Sequence, residues 1–471
     1  TSDPLVPNQV LYQAEPLPDG AAGGNKDGLP PARDYFSIGI QIITSLGRLD
    51  LDADASFFAL HWWRTGSKCF IRELICNQQT MIVLCADRLF TPQEELLKPL
   101  LFIEDGLIRA VSSRAEQEIP KNATVMDFTR DLPGAVLAPG FVDIHMHGGG
   151  GVDLMRTSLT ELPRLNKFLT KHGVTGYFPT TVTAPLDQIC TALELLADAI
   201  EETPSSAHGD TVQARPLGIH LEGPFLSHKR RGVHPPENLV HPTPQIFERF
   251  WQAARGYVTM MTIAPELPGA MEVIKEAARR KVCVSIGHSD ALMETARAAV
   301  KAGARHATHT FNAMRPLDHR EPGILGETLT NGQLTADIIA DGIHVAPEMV
   351  ELFLKAKGIE HAVLITDATA AAGMPDGIYQ LGPIQVEVKD GRCMVGDQLA
   401  GSVLTMDRAV RNVTKFAGWS LQNAVRSATL NPAVAVGLGN HGRLAPGAEA
   451  DLVVLSPEGE VKRTIVRGAV A

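Results

Sequence analysis

The chain has 471 residues, of which 44% are hydrophobic and 20% are charged, as is usual for a folded globular protein. Its formal net charge is −10 and its pI is about 5.9, which argues against nucleic acid as the main partner, since phosphate backbones select basic surfaces. The six cysteines form no Cys-x-x-Cys pair, and this predicts free thiols in the reducing cytoplasm. No apolar run has membrane-spanning length, and the first residues lack a signal-peptide pattern, so no membrane partner is expected.

Residues 1–79 differ in composition from the rest of the chain. Proline, glycine and aspartate crowd the first third of this segment, as in EPLPDGAAGG at 15–24, and such a composition packs poorly. We therefore predict an N-terminal extension over residues 1–79 that is poorly ordered and carries no catalytic residue.

Short β-rich runs separated by turn residues occur near both ends of the remaining chain. They lie at 81–86, 101–104 and 107–111, and again at 450–455 and 462–467. Because both ends offer strands and no helices, we predict one small β-sandwich domain built from residues 80–138 and 440–471.

Strand and helix patterns alternate between these ends. The strand candidates lie at 141–145, 173–178, 217–221, 258–263, 282–286, 304–308, 334–339 and 362–366. Helical patterns fall between most of them, for example at 159–172, 270–280 and 291–302. Eight strands alternating with helices predict an α/β fold, a parallel (β/α)8 TIM-like barrel over residues 139–439.

Polar residues suited to catalysis fall where these strands end, which is where barrel enzymes place their active sites. They are His145 and His147, Glu222, His288, His309 and Asp367. A lone His-x-His pair is more often a surface accident, but on a strand its two side chains face the same way, and four more such residues end other strands. Imidazole and carboxylate without thiolate suit a divalent ion such as Zn²⁺, Fe²⁺ or Mn²⁺. His220 lies one pleat deeper and is expected to pack inside the barrel.

Several motifs resemble those of the amidohydrolase superfamily. They are APGFVDIHMHG at 138–148, HLEGPF at 220–225, IGHS at 286–289 and LITDA at 364–368. Four further blocks resemble the N-acetylglucosamine-6-phosphate deacetylases within that superfamily: RGVHP at 231–235, THTFNAM at 308–314, HREPG at 319–323 and ADGIH at 340–344. The resemblance runs from about residue 80 to the C-terminus.

The resemblance implies a role for each matching residue. The metal ligands would be Glu222, His288 and His309, with His145 and His147 available for a second ion, and Zn or Fe as the metal, one or two per chain. The catalytic residues would be Asp367, the acid/base, and His234, which polarises the acetyl carbonyl. Substrate contacts would come from Val233, His234, Asn312, Ala313, Arg320, Asp341, His344, Leu399, Ala400 and Gly401. In a homodimer, Arg320 would reach the phosphate bound by the neighbouring subunit.

The implied reaction is hydrolysis of N-acetylglucosamine 6-phosphate to glucosamine 6-phosphate and acetate in amino-sugar catabolism. The chemistry suits the residues, because a metal activates water and Asp367 can move its proton to the leaving amine. One alternative is another amidase of the superfamily, such as a cyclic amidase that bridges two metals with a carboxylated lysine, but Glu222 occupies that position here. A non-catalytic barrel scaffold is a second alternative, and it would lack a ligand or a base, whereas none is missing.

Overall fold

The computed structural model describes residues 81–203 and 212–470. The extension predicted at 1–79 lies outside these residues. Within the two described ranges, no helix is long and apolar enough to cross a membrane.

The first described residues form seven short strands. They are β1 (Ile82–Cys85), β2 (Arg88–Phe90), β3 (Glu95–Leu97), β4 (Pro99–Glu104), β5 (Leu107–Ser113), β6 (Thr124–Asp127) and β7 (Val136–Pro139). Strands β5-β4-β1-β6 form one sheet in that order. Strand β2 pairs with β3 in an antiparallel hairpin and with β7 in parallel.

The next part of the chain supplies eight parallel strand positions. They are β8 (Phe141–Met146), β11 (Val174–Pro179), β12 (Arg215–Pro216) continued by β13 (Ile219–Glu222), β14 (Val258–Ile263), β15 (Cys283–Ile286), β16 (His306–Ala307), β17 (Ala336–Ile339) and β18 (Ala362–Ile365). A small hairpin of β9 (Gly148–Gly149) and β10 (Val152–Asp153) follows β8. The predicted strands lie within a few residues of these, although the sixth is only two residues long and the third is split.

Each strand position is hydrogen-bonded to the next. Parallel ladders join β8-β11-β12, β13 to β16, and β17-β18. A bridge between Thr180 and His220 joins β11 to β13, and the Thr310 amide donates to the Asp337 carbonyl beside β16 and β17. After β18, the Asp367 amide donates to the His145 carbonyl of β8 at 2.9 Å, so the last strand is linked to the first.

Helices separate most of these strands. They are α1 (Leu162–Lys171), α2 (Leu186–Glu201), α3 (Pro244–Ala253), α4 (Ala270–Arg279), α5 (Met293–Ala302), α6 (Gly323–Thr330) and α7 (Pro347–His361), followed by α8 (Met406–Ala417), α9 (Leu421–Ser427) and α10 (Leu430–Ala435). Short 3-10 turns occur at His228–Arg230 and Pro236–Asn238. Local sequence explains several helix starts: Thr243 accepts a hydrogen bond from the Ile246 amide and is followed by proline, and Ser420 accepts one from the Asn423 amide.

A four-stranded antiparallel sheet lies between β18 and α8 and was not predicted. Its strands are β19 (Gly377–Leu381), β20 (Ile384–Lys389), β21 (Arg392–Val395) and β22 (Gln398–Leu399). In β20 every second side chain is buried from Val386 onward, as expected for a sheet with one covered face.

The C-terminal strands return to the first part of the described chain. They are β23 (Leu452–Leu455), β24 (Val461–Val466) and β25 (Ala469–Val470), and they give a six-stranded sheet of order β25-β24-β23-β7-β2-β3. Leu84 and Leu101 of one sheet and Leu137, Val454 and Ile465 of the other belong to one fully or almost fully buried apolar cluster. Strands from both ends of the described chain therefore share a core.

Candidate active site

The residues predicted at the strand ends converge on one cavity of about 340 Å³, a size typical of small-ligand sites. Its walls include His147, Glu222, Val233, His234, His288, His309, Asn312, Ala313, His344, Asp367, Leu399, Ala400 and Gly401. His145 is fully buried and is not part of the cavity lining, but its Nε2 lies 3.6 Å from Oδ1 of Asp367.

Glu222 divides the histidines into two pairs. Its Oε2 lies 3.3 Å from Nε2 of His145 and 3.2 Å from Nε2 of His147. Its Oε1 lies 3.3 Å from Nε2 of His288 and 3.2 Å from Nε2 of His309. Asp367 approaches only the first pair, with Oδ1 3.2 Å from Nε2 of His147. The carboxylate of Glu222 therefore stands between two separate groups of possible ligands.

Backbone carbonyls fix the tautomer of three of these histidines. Nδ1 lies 3.2 Å from the Thr180 carbonyl in His147, 2.9 Å from the Arg230 carbonyl in His288, and 3.1 Å from the Asn312 carbonyl in His309. A carbonyl can only accept, so each Nδ1 carries its proton. Each Nε2 is thereby left to bind a metal, as in the outer-shell arrangement usual for ligating histidines.

His234 has the opposite tautomer. The Thr183 amide donates to its Nδ1 at 3.3 Å, and the Thr183 hydroxyl lies 2.8 Å from the same atom. A ring nitrogen that accepts from an amide carries no proton, so Nε2 holds the proton. Burial first, and then the neighbouring His288, lower the pKa of His234 to about 3, so the ring is neutral. His234 is therefore a hydrogen-bond donor in the cavity, although its position near Glu222 and His288 would also suit a ligand.

Three of the residues predicted as metal ligands or acid/base have an unusual backbone. The φ angles of His288, His309 and Asp367 are 45°, 29° and 49°, in the left-handed region that residues other than glycine rarely adopt. Each of these residues follows a parallel strand, so the left-handed backbone turns the chain there and directs the side chain into the cavity. Gly401 packs against Asp367, where an added Cβ would lie 3.0 Å from the Asp367 carbonyl oxygen and 2.6 Å from a methyl carbon of Thr369.

The charges in the site favour a cation. Burial would raise the pKa of Glu222, but the surrounding imidazoles, His145 foremost, hold it well below its usual value. Burial lowers the pKa of His147, yet hydrogen bonds to Asp367 and Glu222 outweigh it and raise the value to about 10. Protons and metal ions would therefore compete for the same nitrogen atoms.

The donor set also fits a metal by its spacing. Two ligands on one tetrahedral zinc ion, with bonds of about 2.0–2.1 Å, lie about 3.3 Å apart. Nε2 of His288 and Nε2 of His309 are 3.0 Å apart, and the contacts to Glu222 and Asp367 span 3.2–3.6 Å. Neither ring nitrogen of His145 has a hydrogen-bond partner in the described residues, although the ring is fully buried. A cation bound at Nε2 would give that nitrogen atom of His145 a partner.

A second layer of polar residues supports these possible ligands. Asp337 accepts a short hydrogen bond from the His309 amide, and its other oxygen lies 2.9 Å from Nε2 of the fully buried His306. Asp143 accepts from the Thr366 hydroxyl at 2.5 Å and so ties β8 to β18. His220 contacts the Thr262 hydroxyl at 2.8 Å, which agrees with the packing role expected for it.

Two predicted substrate residues do not line the cavity. Arg320 is exposed, and Asp341 lies behind His344, with 2.7 Å between Oδ2 and the His344 Nδ1. Conversely, the sequence reasoning missed Lys229, Arg230 and Gln398, which do line it. The basic run HKRR at 228–231, just before the predicted RGVHP block, was the available signal for the first two.

Residues 136–471 match the amidohydrolase family. An N-acetylglucosamine-6-phosphate deacetylase of Bacillus subtilis (strain 168) is 35% identical over 386 residues, which cover 81% of this chain and 94% of that protein. An N-acetylgalactosamine-6-phosphate deacetylase of Escherichia coli O157:H7 is 36% identical over 392 residues, which cover 83% of this chain and 99% of that protein.

A solved structure gives the same result. A mutant N-acetyl-D-glucosamine-6-phosphate deacetylase from Mycobacterium smegmatis, in complex with N-acetyl-D-glucosamine-6-phosphate, matches with a TM-score of 0.76 and 36% sequence identity. The match covers 83% of this chain and 99% of that one.

Proposed function

The chain belongs to the amidohydrolase family, and we propose that it hydrolyses N-acetylglucosamine 6-phosphate to glucosamine 6-phosphate and acetate, in amino-sugar catabolism. The observation that carries the proposal is the placement of Glu222 between two histidine pairs, with Asp367 beside one of them. The relatives that match most of the chain are named for deacetylation of a phosphorylated amino sugar, and this supports the substrate class.

The family's divalent metal cofactor has a suitable set of ligands here. Glu222, His288 and His309 would hold one ion, and His145 and His147, together with Glu222, would hold a second. Zn or Fe suits these imidazole and carboxylate ligands. When bound, the metal supplies Lewis acidity, which makes water a better nucleophile and polarises the amide carbonyl.

Asp367 is proposed as the acid/base. Its pKa is lowered to about 2, because attraction to His145 and the contact with His147 outweigh the effect of burial, so the carboxylate is charged and can accept a proton. It would take the proton of the attacking water and return it to the nitrogen as the C–N bond breaks. An amine leaves poorly unless it is protonated, so this second transfer is as necessary as the first.

His234 is proposed to stabilise the oxyanion. Its neutral ring keeps the proton on Nε2, because the Thr183 amide occupies Nδ1. That N–H can donate to the acetyl oxygen as negative charge develops in the transition state, an effect that is large in a buried site. Asn312, Ala313 and His344 would bind the sugar phosphate, with Val233 and residues 399–401 as the walls around it.

We also propose the molecular architecture that the sequence predicts. The eight parallel strands would close into a (β/α)8 barrel over residues 139–439, with residues 80–138 and 440–471 as a small β sandwich. We propose a homodimer in which exposed Arg320 reaches the partner's phosphate site. A cytoplasmic location would suit Cys85, Cys190, Cys283 and Cys393, which are buried and unpaired.

A substrate comparison tests the proposed function. Acetate release should be measured with N-acetylglucosamine 6-phosphate, N-acetylgalactosamine 6-phosphate and unphosphorylated N-acetylglucosamine, on one preparation of known metal content. The glucosamine phosphate should give the highest kcat/KM. Higher kcat/KM with the galactosamine epimer would reassign the sugar, and no acetate from any of the three would refute deacetylation.

A further inference from the structure

Asp341 and His344 form a buried pair beside the cavity. The Oδ2 of Asp341 lies 2.7 Å from Nδ1 of His344, and their side chains are only 3% and 7% exposed. Oδ1 of Asp341 accepts from the backbone amides of Ile343 and His344, at 2.7 and 2.8 Å. Three donors from its own loop thus occupy the carboxylate, which leaves little of it for a ligand.

His344, by contrast, lines the cavity together with Asn312 and Ala313. Its Nδ1 is engaged by Asp341, so Nε2 is the ring nitrogen that can meet a ligand. Nδ2 of Asn312 is buried without a hydrogen-bond partner among the described residues. An acceptor oxygen of a ligand, such as one of a phosphate, would give this donor a partner.

We propose that Asp341 is a positioning residue: its carboxylate holds Nδ1–H of His344, so that the ring, as an imidazolium once the substrate is bound, donates from Nε2–H to the phosphate of the substrate. This inference rests on the proposed function and deepens it. A carboxylate at Nδ1 stabilises the charged ring, and a charged donor binds an oxyanion about twice as strongly as a neutral one. Asp341 therefore confers selectivity for the phosphorylated sugar without touching it.

Asp341→Asn isolates the charge. The asparagine Oδ1 can still accept from the two backbone amides, and its Nδ2 then donates to Nδ1 of His344. That exchange leaves a neutral ring with its proton on Nε2, so the hydrogen bond survives and the positive charge is lost. We expect KM for N-acetylglucosamine 6-phosphate to rise about tenfold, or about 1.4 kcal/mol, with kcat and the values for the unphosphorylated sugar little changed.

A matched control is available at a second aspartate–histidine pair, which is partly buried. Asp407 lies 3.1 Å from Nδ1 of His172, with side-chain exposures of 13% and 24%, and neither residue lines the cavity. Asp407→Asn makes the same chemical change away from the ligand and should leave KM unchanged for both sugars. His344→Gln removes the ring, and combining it with Asp341→Asn should add no further loss, because both changes act through one contact.

Binding provides a readout that does not depend on turnover. Calorimetry should show that Asp341→Asn weakens glucosamine 6-phosphate about tenfold and leaves glucosamine unchanged. Equal losses for the two sugars would mean that Asp341 contacts the sugar itself, and additive losses in the double variant would separate it from His344, so either result overturns the proposal. If Asp341→Asn does not fold, equal losses for both sugars in His344→Gln overturn it as well. If the wild type released no acetate from any sugar, only the proposed function would fail, and the binding ratio would still decide the role of Asp341.

Discussion

Replacing His145 and His147 by alanine should remove one metal ion per chain. The two oxygens of Glu222 face different histidine pairs at 3.2–3.3 Å, so each pair would serve its own ion. The double variant would leave only oxygens of Glu222 and Asp367 at the first position. Loss of one outer-shell partner usually costs about 10–100-fold in metal affinity, so loss of both nitrogen ligands should exceed 100-fold and empty that position.

The assay is metal counting by mass spectrometry after reconstitution in excess metal and dialysis at a fixed free concentration. We expect two ions in the wild type, one in the variant, and one in a companion variant that lacks His288 and His309. Thermal unfolding of the metal-free proteins controls for damage to the fold. A wild type that holds one ion, with the count unchanged when His145 and His147 are lost, would refute the two-ion reasoning.

Three further predictions concern the base, the dimer and a buried lysine. Asp367→Asn should keep the fold and the metal but lower kcat by about 10²-fold or more, and near-normal turnover of metal-loaded variant would exclude Asp367 as the base. Mixing Arg320→Ala with Asp367→Asn protein should restore some activity, because one site of each heterodimer has both residues intact, and no recovery despite demonstrated subunit exchange would exclude a shared site. Burial lowers the pKa of Lys357 to about 8, so the folded chain binds this proton less tightly than the unfolded chain and is stabilised as pH rises from about 8 to 10.5. Lys357→Met should lack that gain, of up to about 3 kcal/mol, and parallel thermal midpoints of both proteins across this pH range would contradict it.

The sequence predicted the strands well because their apolar runs and their terminal polar residues are local signals. The positions of Glu222, His288, His309 and Asp367 could be placed at one edge without knowing a single contact, since parallel strands end together. The family resemblance was confirmed by the comparisons. The alternation of apolar and polar residues in β20 is also a local signal of a strand. The four-stranded sheet that contains β20 was not predicted, because a barrel of alternating strands and helices does not include such a sheet.

Other features of the site depend on contacts between distant residues. The tautomer of His234 is set by Thr183, 51 positions earlier, and that of His288 by the carbonyl of Arg230, 58 positions earlier. A sequence motif identifies the imidazole but not the nitrogen that holds its proton. For the same reason, the ADGIH block predicts Asp341 as a substrate contact. In the structure its oxygens instead accept hydrogen bonds from the backbone amides of Ile343 and His344 and from the His344 ring.

The position of strand β7 in its sheet affects how the chain folds during synthesis. It lies between β2, some fifty residues before it, and β23, more than three hundred residues after it. During synthesis, therefore, one edge of β7 has no partner until nearly the whole chain has left the ribosome. An unpaired strand edge invites pairing with other chains, so this interval is the one in which aggregation is most expected. The C-terminal residues complete the fold last, and truncations that remove β23 should give insoluble protein even though they spare every proposed metal ligand.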